Sequence, residues 1–291
     1  MRYYGTVIRP PSEAQSYILQ ITYGCSHNKC TFCPTYLDKP FKVRPIDQVL
    51  EDIDRAGHVY GNTRRVFLAD GNALVLGTKQ LLLIIEKLHK AFPNLQRIGI
   101  YANADDMLKK TETDLQCLYA HDLTIIYTGL ESGSDAVLDR VHKGTDSTRI
   151  IQAVQKVQQI GIKVSLIALL GIGGLDQWQE HAIATGKAVS AMNPRYFSLL
   201  TLMVVPGTPL HNEMARGSFI LPGPLDMLKE MRVILEHADV TQGCIFRSNH
   251  ASNYLPLAGT LPKDKTTLLR TIDNALKQGS TCLRPEWARG L

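Results

Sequence analysis

The chain has 291 residues, of which 44% are hydrophobic and 20% charged, and its formal net charge is +5. This length and apolar content allow a buried core of one or two domains, and no long run of like charge indicates a nucleic-acid-binding tail. No apolar stretch approaches the roughly 20 residues of a membrane span, and the N-terminus lacks the apolar region of a signal peptide. We therefore expect a cytoplasmic protein that does not contact a membrane.

Short apolar runs alternate with longer amphipathic segments up to about residue 210. The short runs predict six strands: Tyr17–Thr22, Arg65–Ala69, Arg97–Tyr101, Leu123–Gly129, Lys163–Leu169 and Tyr196–Val204. The amphipathic segments predict five helices: Ile46–Ala56, Thr78–Ala91, Glu112–His121, Thr148–Ile160 and Gln177–Met192. This alternation is typical of a parallel α/β sheet, although periodicity alone does not separate an open sheet from a closed one. We expect a partial parallel (β/α)6 TIM-like barrel.

The alternation fades after the turn at residues 206–209. Helices are predicted at Leu225–His237 and Thr266–Gln278, and Cys244–Arg247 is a candidate seventh strand. We expect residues 1–210 to form the barrel and residues 211–291 to form a short, mainly helical appendage that covers the barrel mouth. Sixteen residues precede the first predicted strand, so no additional N-terminal domain is expected.

Three of the six cysteines, Cys25, Cys30 and Cys33, lie within nine residues of one another. In a cytosolic protein this spacing indicates metal binding rather than disulfides, and thiolates suit iron–sulfur clusters or zinc. A four-iron cluster held by three thiolates leaves one iron open to a substrate or cofactor. A structural zinc site needs a fourth ligand, for which His27 is the nearby candidate. Three packed cysteines without metal are the remaining alternative.

Polar and glycine residues follow five of the predicted strands, where parallel α/β folds gather their chemistry. In chain order they are Cys25, Asp70-Gly71-Asn72, Asn103, Glu131-Ser132 and Gly171-Ile172-Gly173-Gly174. Together with Phe32 just before the last clustered cysteine, this pattern resembles the radical S-adenosylmethionine superfamily over about residues 17–210. The segment from Tyr127 to Gly144 resembles the branch of tRNA methylthiotransferases and oxygen-independent coproporphyrinogen oxidases. The first gap between the cysteines is four residues here and three in the usual motif.

The resemblance implies a [4Fe-4S] cluster on Cys25, Cys30 and Cys33, with S-adenosylmethionine at the open iron. It also implies an enzyme in which a reduced cluster passes one electron to the sulfonium. The carbon–sulfur bond then breaks, and a 5′-deoxyadenosyl radical takes a hydrogen atom from the substrate. The expected electron donor is a protein such as flavodoxin or ferredoxin.

The resemblance also assigns cofactor contacts along the chain. The Asp70-Gly71-Asn72 turn stands in place of the usual Gly-Gly-Glu, and its backbone is expected to bind the amino group of S-adenosylmethionine. Lys143 is expected to pair with the carboxylate of the cofactor. The other expected contacts are Glu131 and Ser132 at the ribose or methionine part, Tyr101 and Asn103 facing the cofactor, Leu169 and Gly171 at adenine, and Phe32 beside the cluster.

The candidate substrate-binding residues lie in a polar run after the seventh predicted strand. Arg247 is suited to grip a carboxylate or phosphate, and His250 to act as general acid or base, with Tyr254 close by in the sequence. The competing interpretation is an ordinary turn, since Asn and Ser form such turns routinely. Cys244 is a candidate hydrogen-atom donor to a product radical, or a packed residue.

No binding module for a macromolecule is visible, so we expect a small or medium-sized metabolite as substrate. An RNA- or protein-modifying enzyme is the alternative, and it predicts a basic rim that contains Lys263, Lys265, Arg270 and Lys277. A further alternative is a non-catalytic iron–sulfur protein that acts as an electron carrier or sensor.

Overall fold

A computed structural model describes residues 2–290. The strands are β1 Tyr17–Gln20, β2 Thr22–Tyr23, β3 Lys42–Val43, β4 Arg65–Ala69, β5 Arg97–Tyr101, β6 Leu123–Glu131, β7 Lys163–Leu170, β8 Tyr196–Thr201, β9 Cys244–Ser248 and β10 Leu257–Leu261. The α-helices are α1 Ile46–Val59, α2 Thr78–Ala91, α3 Ala104–Lys109, α4 Glu112–Ala120, α5 Asp135–Arg140, α6 Ser147–Gln159, α7 Gly174–Met192, α8 Pro209–Ala215, α9 Pro224–His237 and α10 Lys265–Gln278.

These elements are divided between two compact units. The first contains residues 2–28, 33–128 and 152–164, and the second contains residues 29–32, 129–151 and 165–290. Most strands and helices therefore belong wholly to one unit.

In the first unit, β1, β4, β5 and the beginning of β6 lie side by side in that order and run parallel. Most of their side chains are buried, as expected for parallel strands covered by helices. The helix α2 turns one apolar face inward, and that face consists of Leu81, Ile84, Ile85 and Leu88. This is the face that the helical spacing of the sequence predicts. A short antiparallel pair, β2 with β3, flanks the cysteine loop.

In the second unit, β7, β8 and β9 run parallel in that order, and β10 runs antiparallel beside β9. The helix α9 packs between α7 and α10. An apolar cluster formed by Val137, Val141, Ile172, Leu202, Leu210 and Phe219 is fully or nearly fully buried. These contacts fix the loops that follow β6, β7 and β8 within this unit.

The sequence predicted most of these elements correctly. All seven predicted strands and all seven predicted helices are present, with ends that match the prediction or differ by up to three residues. The strand predicted at Tyr17–Thr22 is interrupted at Ile21, and the one predicted at Tyr196–Val204 ends at Thr201. The helices α3, α5 and α8 have only six or seven residues, too few for a periodic pattern.

The region predicted as an appendage contributes β9 and β10 as well as helices, and β9 pairs with β8. The boundary at residue 210 stays a prediction. Within residues 2–290, no helix combines the length and apolar character needed to cross a membrane.

Candidate functional site

The clustered cysteines lie in the loop between β2 and β3. Cys25, Cys30 and Cys33 are each half-buried, and none of the three forms a disulfide. Of this loop, the segment Lys29–Phe32 belongs to the second unit. There the N–H of Thr31 donates to the carbonyl oxygen of Val141 at 3.0 Å, and Phe32 packs against the apolar cluster. The orientation of the residue before Cys33 is therefore set by packing.

A buried ion pair lies at the base of this loop in the first unit. Lys39 Nζ is 3.0 Å from Asp70 Oδ2, and both side chains are almost completely buried. The same carboxylate oxygen accepts hydrogen bonds from the N–H of Gly24 at 3.0 Å and from Gln20 Nε2 at 3.1 Å. Lys39 also donates to the backbone carbonyl of Thr6. Oδ2 of Asp70 thus has three protein partners, whereas the other carboxylate oxygen, Oδ1, is buried without a hydrogen-bond partner among the described residues.

Asn72, two residues further on, is equally engaged. Its side-chain nitrogen donates to Ser26 Oγ at 2.7 Å and to the carboxylate of Asp106. Its side-chain oxygen accepts the backbone N–H of Asn103 at 3.0 Å. The side-chain groups of Asn72 therefore bind protein, and a cofactor contact through the backbone of this turn stays a prediction.

Gly71 lies between these two residues in a close approach that only glycine permits. A Cβ at this position would lie 2.5 Å from the ring of Tyr36 and 2.9 Å from the Cβ of Cys25. Burial raises the pKa of the Tyr36 phenol, and the negative charge of Asp70 raises it further. The turn after β4 therefore packs directly against the cysteine loop, beside a phenol that stays protonated.

Tyr101, predicted to face the cofactor, belongs to a cluster of aromatic rings in the first unit. Its ring lies edge-on to Phe67 at 4.8 Å and to Tyr127 at 6.2 Å between centroids. Tyr127 donates its hydroxyl to the buried carboxylate of Glu13. Burial raises the pKa of Tyr101, and its interaction with Tyr127 raises it further. Both phenols are neutral at physiological pH.

In the second unit, Glu131 and Lys143 form the ion pair closest to the predicted cofactor contacts. Lys143 Nζ lies 2.8 Å from Glu131 Oε1, and both side chains are largely buried. Glu131 has a positive φ of 60°. A Cβ on Gly129 would lie 1.9 Å from the Glu131 carboxylate, so glycine is required there. The cation predicted to meet the cofactor carboxylate is thus held in place by a protein carboxylate.

A buried polar network connects Ser132 to the turn after β7. Ser132 Oγ accepts the N–H of Ser134 at 3.0 Å and lies 2.7 Å from His181 Nδ1. His181 Nε2 lies 3.2 Å from Glu230 Oε1, and that oxygen accepts the N–H of Gly171 at 2.7 Å. The side chains of His181 and Glu230 are fully buried. Ser132 and Gly171, both predicted cofactor contacts, are therefore linked through two residues that the sequence analysis missed.

Signals for His181 and Glu230 exist in the sequence, but they are weak. Glu230 interrupts the buried face of α9 between Met227 and Ile234, and His181 lies on the buried face of α7. Leu169, the other predicted adenine contact, packs against the apolar cluster.

The predicted substrate residues lie on β9 and in the loop that follows it. Arg247 is exposed, and its guanidinium donates to the carbonyl oxygens of Phe246 and Gly259. Burial lowers the pKa of His250, and the nearby charge of Arg284 lowers it further. Arg284 also donates to the carbonyl oxygen of His250. His250 is consequently neutral at pH 7.

Tyr254, the third predicted substrate residue, is held by the C-terminal segment. Its hydroxyl donates to Glu286 Oε2 at 2.7 Å, and the Arg289 guanidinium stacks 4.0 Å from its ring centroid. Burial and the Glu286 hydrogen bond raise the pKa of Tyr254 to about 12. The same loop is tied to β8, because Asn253 Nδ2 donates to the carbonyl oxygen of Leu199 and its side-chain oxygen accepts the hydroxyl of Thr201. Substrate roles for this loop stay a prediction.

A family model described as the Radical SAM superfamily matches residues 19–185, more than half of the chain. The chain belongs to the Radical SAM superfamily. The match includes the three clustered cysteines, the turn after β4, and the Glu131–Lys143 pair. The resemblance deduced from the sequence motifs is confirmed.

Sequence relatives of this superfamily member are distant. Heme chaperone HemW of Bacillus subtilis (strain 168) is 24% identical over 226 residues, which cover 72% of this chain and 56% of HemW. Uncharacterized protein MJ0486 of Methanocaldococcus jannaschii is 24% identical, with 99% of this chain and 84% of that protein covered. The tRNA-2-methylthio-N(6)-dimethylallyladenosine synthase of Dictyoglomus thermophilum is 24% identical, with 71% and 47% covered. The chain spans about half the length of the first and third of these proteins.

Solved structures share the fold at low sequence identity. The coproporphyrinogen III oxidase HemN of Escherichia coli, described as a Radical SAM enzyme, matches with a TM-score of 0.57 at 19% identity, covering 77% of this chain and 52% of HemN. Methylornithine synthase PylB matches with a TM-score of 0.57 at 15% identity, covering 88% and 68%. The predicted α/β, TIM-like fold class is confirmed by these neighbours and by the parallel strands of both units.

Members of the Radical SAM superfamily use a [4Fe-4S] cluster and S-adenosylmethionine, so both predicted cofactors are confirmed at the level of the family. The cysteine loop fits a cluster by its donor chemistry, because it contains three half-buried cysteines without disulfides, and thiolates hold iron–sulfur clusters. In the part of the chain that the structure describes, no three His, Cys, Asp or Glu side chains surround a position for a metal ion.

Proposed function

We propose that this chain is a radical S-adenosylmethionine enzyme that takes a hydrogen atom from a small or medium-sized metabolite. Cys25, Cys30 and Cys33 hold the [4Fe-4S] cluster in this proposal. The observation that carries the proposal is the family match across a loop of three half-buried thiols. When bound and reduced, the cluster supplies the electron for cleavage of the carbon–sulfur bond of S-adenosylmethionine. A flavodoxin- or ferredoxin-type protein is the proposed donor of that electron.

The turn after β4 and the end of β6 orient S-adenosylmethionine in this proposal. The backbone around Gly71 binds the amino group, since the side chains of Asp70 and Asn72 are engaged elsewhere. Lys143 meets the carboxylate, and Glu131 keeps the ammonium group in place until the cofactor arrives. This arrangement places a carboxylate oxygen within 3 Å of the buried ammonium group.

The remaining proposed contacts surround the adenosine part. Ser132 and Glu131 face the ribose or methionine part, while Leu169 and Gly171 pack against adenine. Tyr101 and Asn103 face the cofactor from the end of β5, and Phe32 lies beside the cluster. Their shared task is to exclude water and to hold the cofactor in one orientation.

The loop after β9 is the proposed substrate-binding element. It is tied to the carboxyl end of β8 through Asn253, and this is the end of a strand at which parallel α/β enzymes place their chemistry. Arg247 is proposed to bind an anionic group of the substrate. His250 is proposed as a neutral proton acceptor, and Tyr254 as a hydrogen-bonding residue.

Detection of 5′-deoxyadenosine tests this function. The protein is reconstituted with iron and sulfide without oxygen, and S-adenosylmethionine and a strong reductant are added. We expect product from the native chain and none from the triple Cys25, Cys30 and Cys33 to Ala variant. A Cys117 and Cys282 to Ala variant, which changes cysteines outside the loop that are not buried, is expected to retain iron and product. A bound four-iron cluster without product would favour an electron carrier or sensor, and zinc in place of iron would contradict the proposal.

RNA modification is the second candidate, because one relative is named as a tRNA methylthiolating synthase. The candidate surface contains Lys263, Lys265, Arg270 and Lys277, although Lys265 Nζ lies 2.6 Å from Asp239 Oδ1. Retention of tRNA that weakens steeply with salt would favour this candidate. Loss of that retention when Lys263, Arg270 and Lys277 are replaced by Gln would locate the contact. Absence of retention at low salt would rule it out.

A further inference from the structure

A single carboxylate oxygen holds both ends of the cysteine loop. Asp70 Oδ2 accepts the N–H of Gly24, the residue before Cys25, at 3.0 Å. The same oxygen lies 3.0 Å from the ammonium group of Lys39, which lies near the end of the loop. All of these groups belong to the first unit. The entry and exit of the loop are thus brought together at the end of β4.

Further hydrogen bonds surround the Lys39–Asp70 pair. Gln20 Nε2 donates to Asp70 Oδ2 and to the carbonyl oxygen of Tyr4, while Lys39 donates to the carbonyl oxygen of Thr6. The exposed fraction is 3% for the Lys39 side chain and 0% for that of Asp70. Burial of two charges is costly unless the pair is well formed and further hydrogen-bonded. Lys39 Nζ and Asp70 Oδ2 have such additional partners, whereas Asp70 Oδ1 is buried without one among the described residues, so the pair depends on Oδ2.

Tyr36 provides a second contact between the cysteine loop and the turn after β4. Lys39 Nζ lies 5.4 Å from the centre of the Tyr36 ring, and Asn28 Nδ2 donates to the carbonyl oxygen of Tyr36 at 3.0 Å. The Tyr36 ring covers Gly71, the residue after Asp70, so closely that a Cβ there would overlap it. Displacement of Lys39 would therefore loosen the packing of the segment that follows Cys33.

We infer that the Lys39–Asp70 ion pair positions the cysteine loop and thereby determines how firmly the chain retains its iron–sulfur cluster. Neither residue is a ligand; both are positioning residues that act through the backbone of Gly24 and the segment from Tyr36 to Lys39. The inference rests on the proposed function. It goes beyond that function because it assigns cluster retention to a charge pair outside the cysteine motif, at a position where Asp70 replaces the usual glycine.

Iron release from the reconstituted 291-residue chain tests this inference. The variants are Asp70→Asn, Lys39→Met and the double variant Lys39→Met/Asp70→Asn. Each single variant leaves one buried charge without its partner, whereas the double variant is neutral and keeps an acceptor for the Gly24 N–H. The matched control is Asp52→Asn, which breaks the Arg44–Asp52 pair, another buried pair of the first unit, with atoms 2.8 Å apart. Arg44 donates to Asp52 and to the carbonyl oxygen of Gln20, and Asp52 also accepts from Arg2, so these hydrogen bonds lie outside the cysteine loop.

The readouts are the midpoint of thermal unfolding, iron per chain, and the rate at which a chelator removes iron well below that midpoint. We expect iron release from both single variants to be about tenfold faster or more, in line with the loss caused by removing partners of metal ligands. Asp52→Asn lowers the unfolding midpoint but releases iron at the native rate. In the double variant the unfolding midpoint recovers while iron release stays fast, because Lys39 no longer holds the loop exit.

Two results would overturn the inference. One is iron release from Asp70→Asn and Asp52→Asn at equal rates, and the other is a double variant that recovers the native release rate along with its stability. In both cases the pair would contribute only to general stability. A native chain that binds no cluster at all would instead contradict the proposed function, so the two failures are distinguishable.

Discussion

Each unit contains a buried polar network beside a turn predicted to contact the cofactor, and the two networks are built differently. In the first unit, Lys39 and Asp70 form an ion pair that gathers backbone groups of the cysteine loop. In the second unit, His181 and Glu230 come from two helices and join Ser132 to Gly171. The first network holds a loop that carries proposed metal ligands, whereas the second holds two turns that carry proposed cofactor contacts.

This difference implies that the two networks control different properties. Disruption of the first should change retention of iron, and disruption of the second should change binding of S-adenosylmethionine with the cluster retained. Charge is central in the first network. In the second, the main requirement is that buried hydrogen-bonding groups keep their partners.

The largest expected effect comes from Glu230→Ala. The change removes the acceptor of the Gly171 N–H and the carboxylate beside His181 Nε2 in a fully buried site, so we expect the free energy of unfolding to fall by about 3 kcal/mol. The Kd for S-adenosylmethionine should rise while iron per chain stays native, as measured by calorimetry and iron analysis. Glu230→Gln is the matched control, because it keeps an acceptor for the Gly171 N–H and should lose about 1 kcal/mol. Faster iron release from Glu230→Ala would remove the distinction between the networks.

A steric change tests the first unit without altering charge. Gly71→Ala places a Cβ against Tyr36 and Cys25, so the turn or the loop must move, and we expect a loss of about 2 kcal/mol. Iron per chain after reconstitution should fall. Gly77→Ala is the control, since a Cβ there meets no atom within 4 Å. Native iron content in Gly71→Ala would show that the loop tolerates movement at this contact.

Lys143→Met tests the ion pair in the second unit. Removal of the cation should weaken binding of S-adenosylmethionine by about tenfold, which corresponds to about 1.4 kcal/mol, while iron content stays native. Isothermal titration with the reconstituted protein measures this change. Lys229→Met serves as the control because its pair with Asp226 is largely exposed. If the affinity for S-adenosylmethionine is unchanged in Lys143→Met, Lys143 pairs with Glu131 but does not contribute to cofactor binding.

The smallest expected effect concerns acid stability through His250. The pKa of His250 is lowered in the folded chain, so protonation favours the unfolded state and stability is lost as the pH falls below about 6.5. We expect the unfolding midpoint of native protein to fall more between pH 7 and pH 5 than that of His250→Gln. Parallel curves for the two proteins would show that this histidine does not contribute to acid lability.

Motif residues and strand ends were predictable because they leave local patterns. The strands Arg65–Ala69 and Arg97–Tyr101 and the helix Thr78–Ala91 were predicted with the bounds that the structure shows. Each has an apolar run or face with a clear period, bounded by polar or glycine residues. The clustered cysteines and the turn after β4 stand out in the same way.

The partners of these motif residues were not predictable, because they come from distant parts of the chain. His181 and Glu230 lie within amphipathic helices, where an isolated polar residue is normally on the solvent side. Lys39 carries no motif, and its partner Asp70 is 31 residues away. Asp70 was recognised as a motif position, but only the fold shows that its side chain closes the cysteine loop.

The segment before the first strand also bears on how the protein is prepared. Tyr4 exchanges two hydrogen bonds with Gln20, and Thr6 supplies a carbonyl oxygen to Lys39. Proteolytic trimming through Thr6 during purification would expose the Lys39–Asp70 pair to water and leave the ammonium group with one partner fewer. Iron content measured on trimmed samples would then underestimate that of the intact chain, and the cause would lie in the handling of the protein rather than in its cysteines.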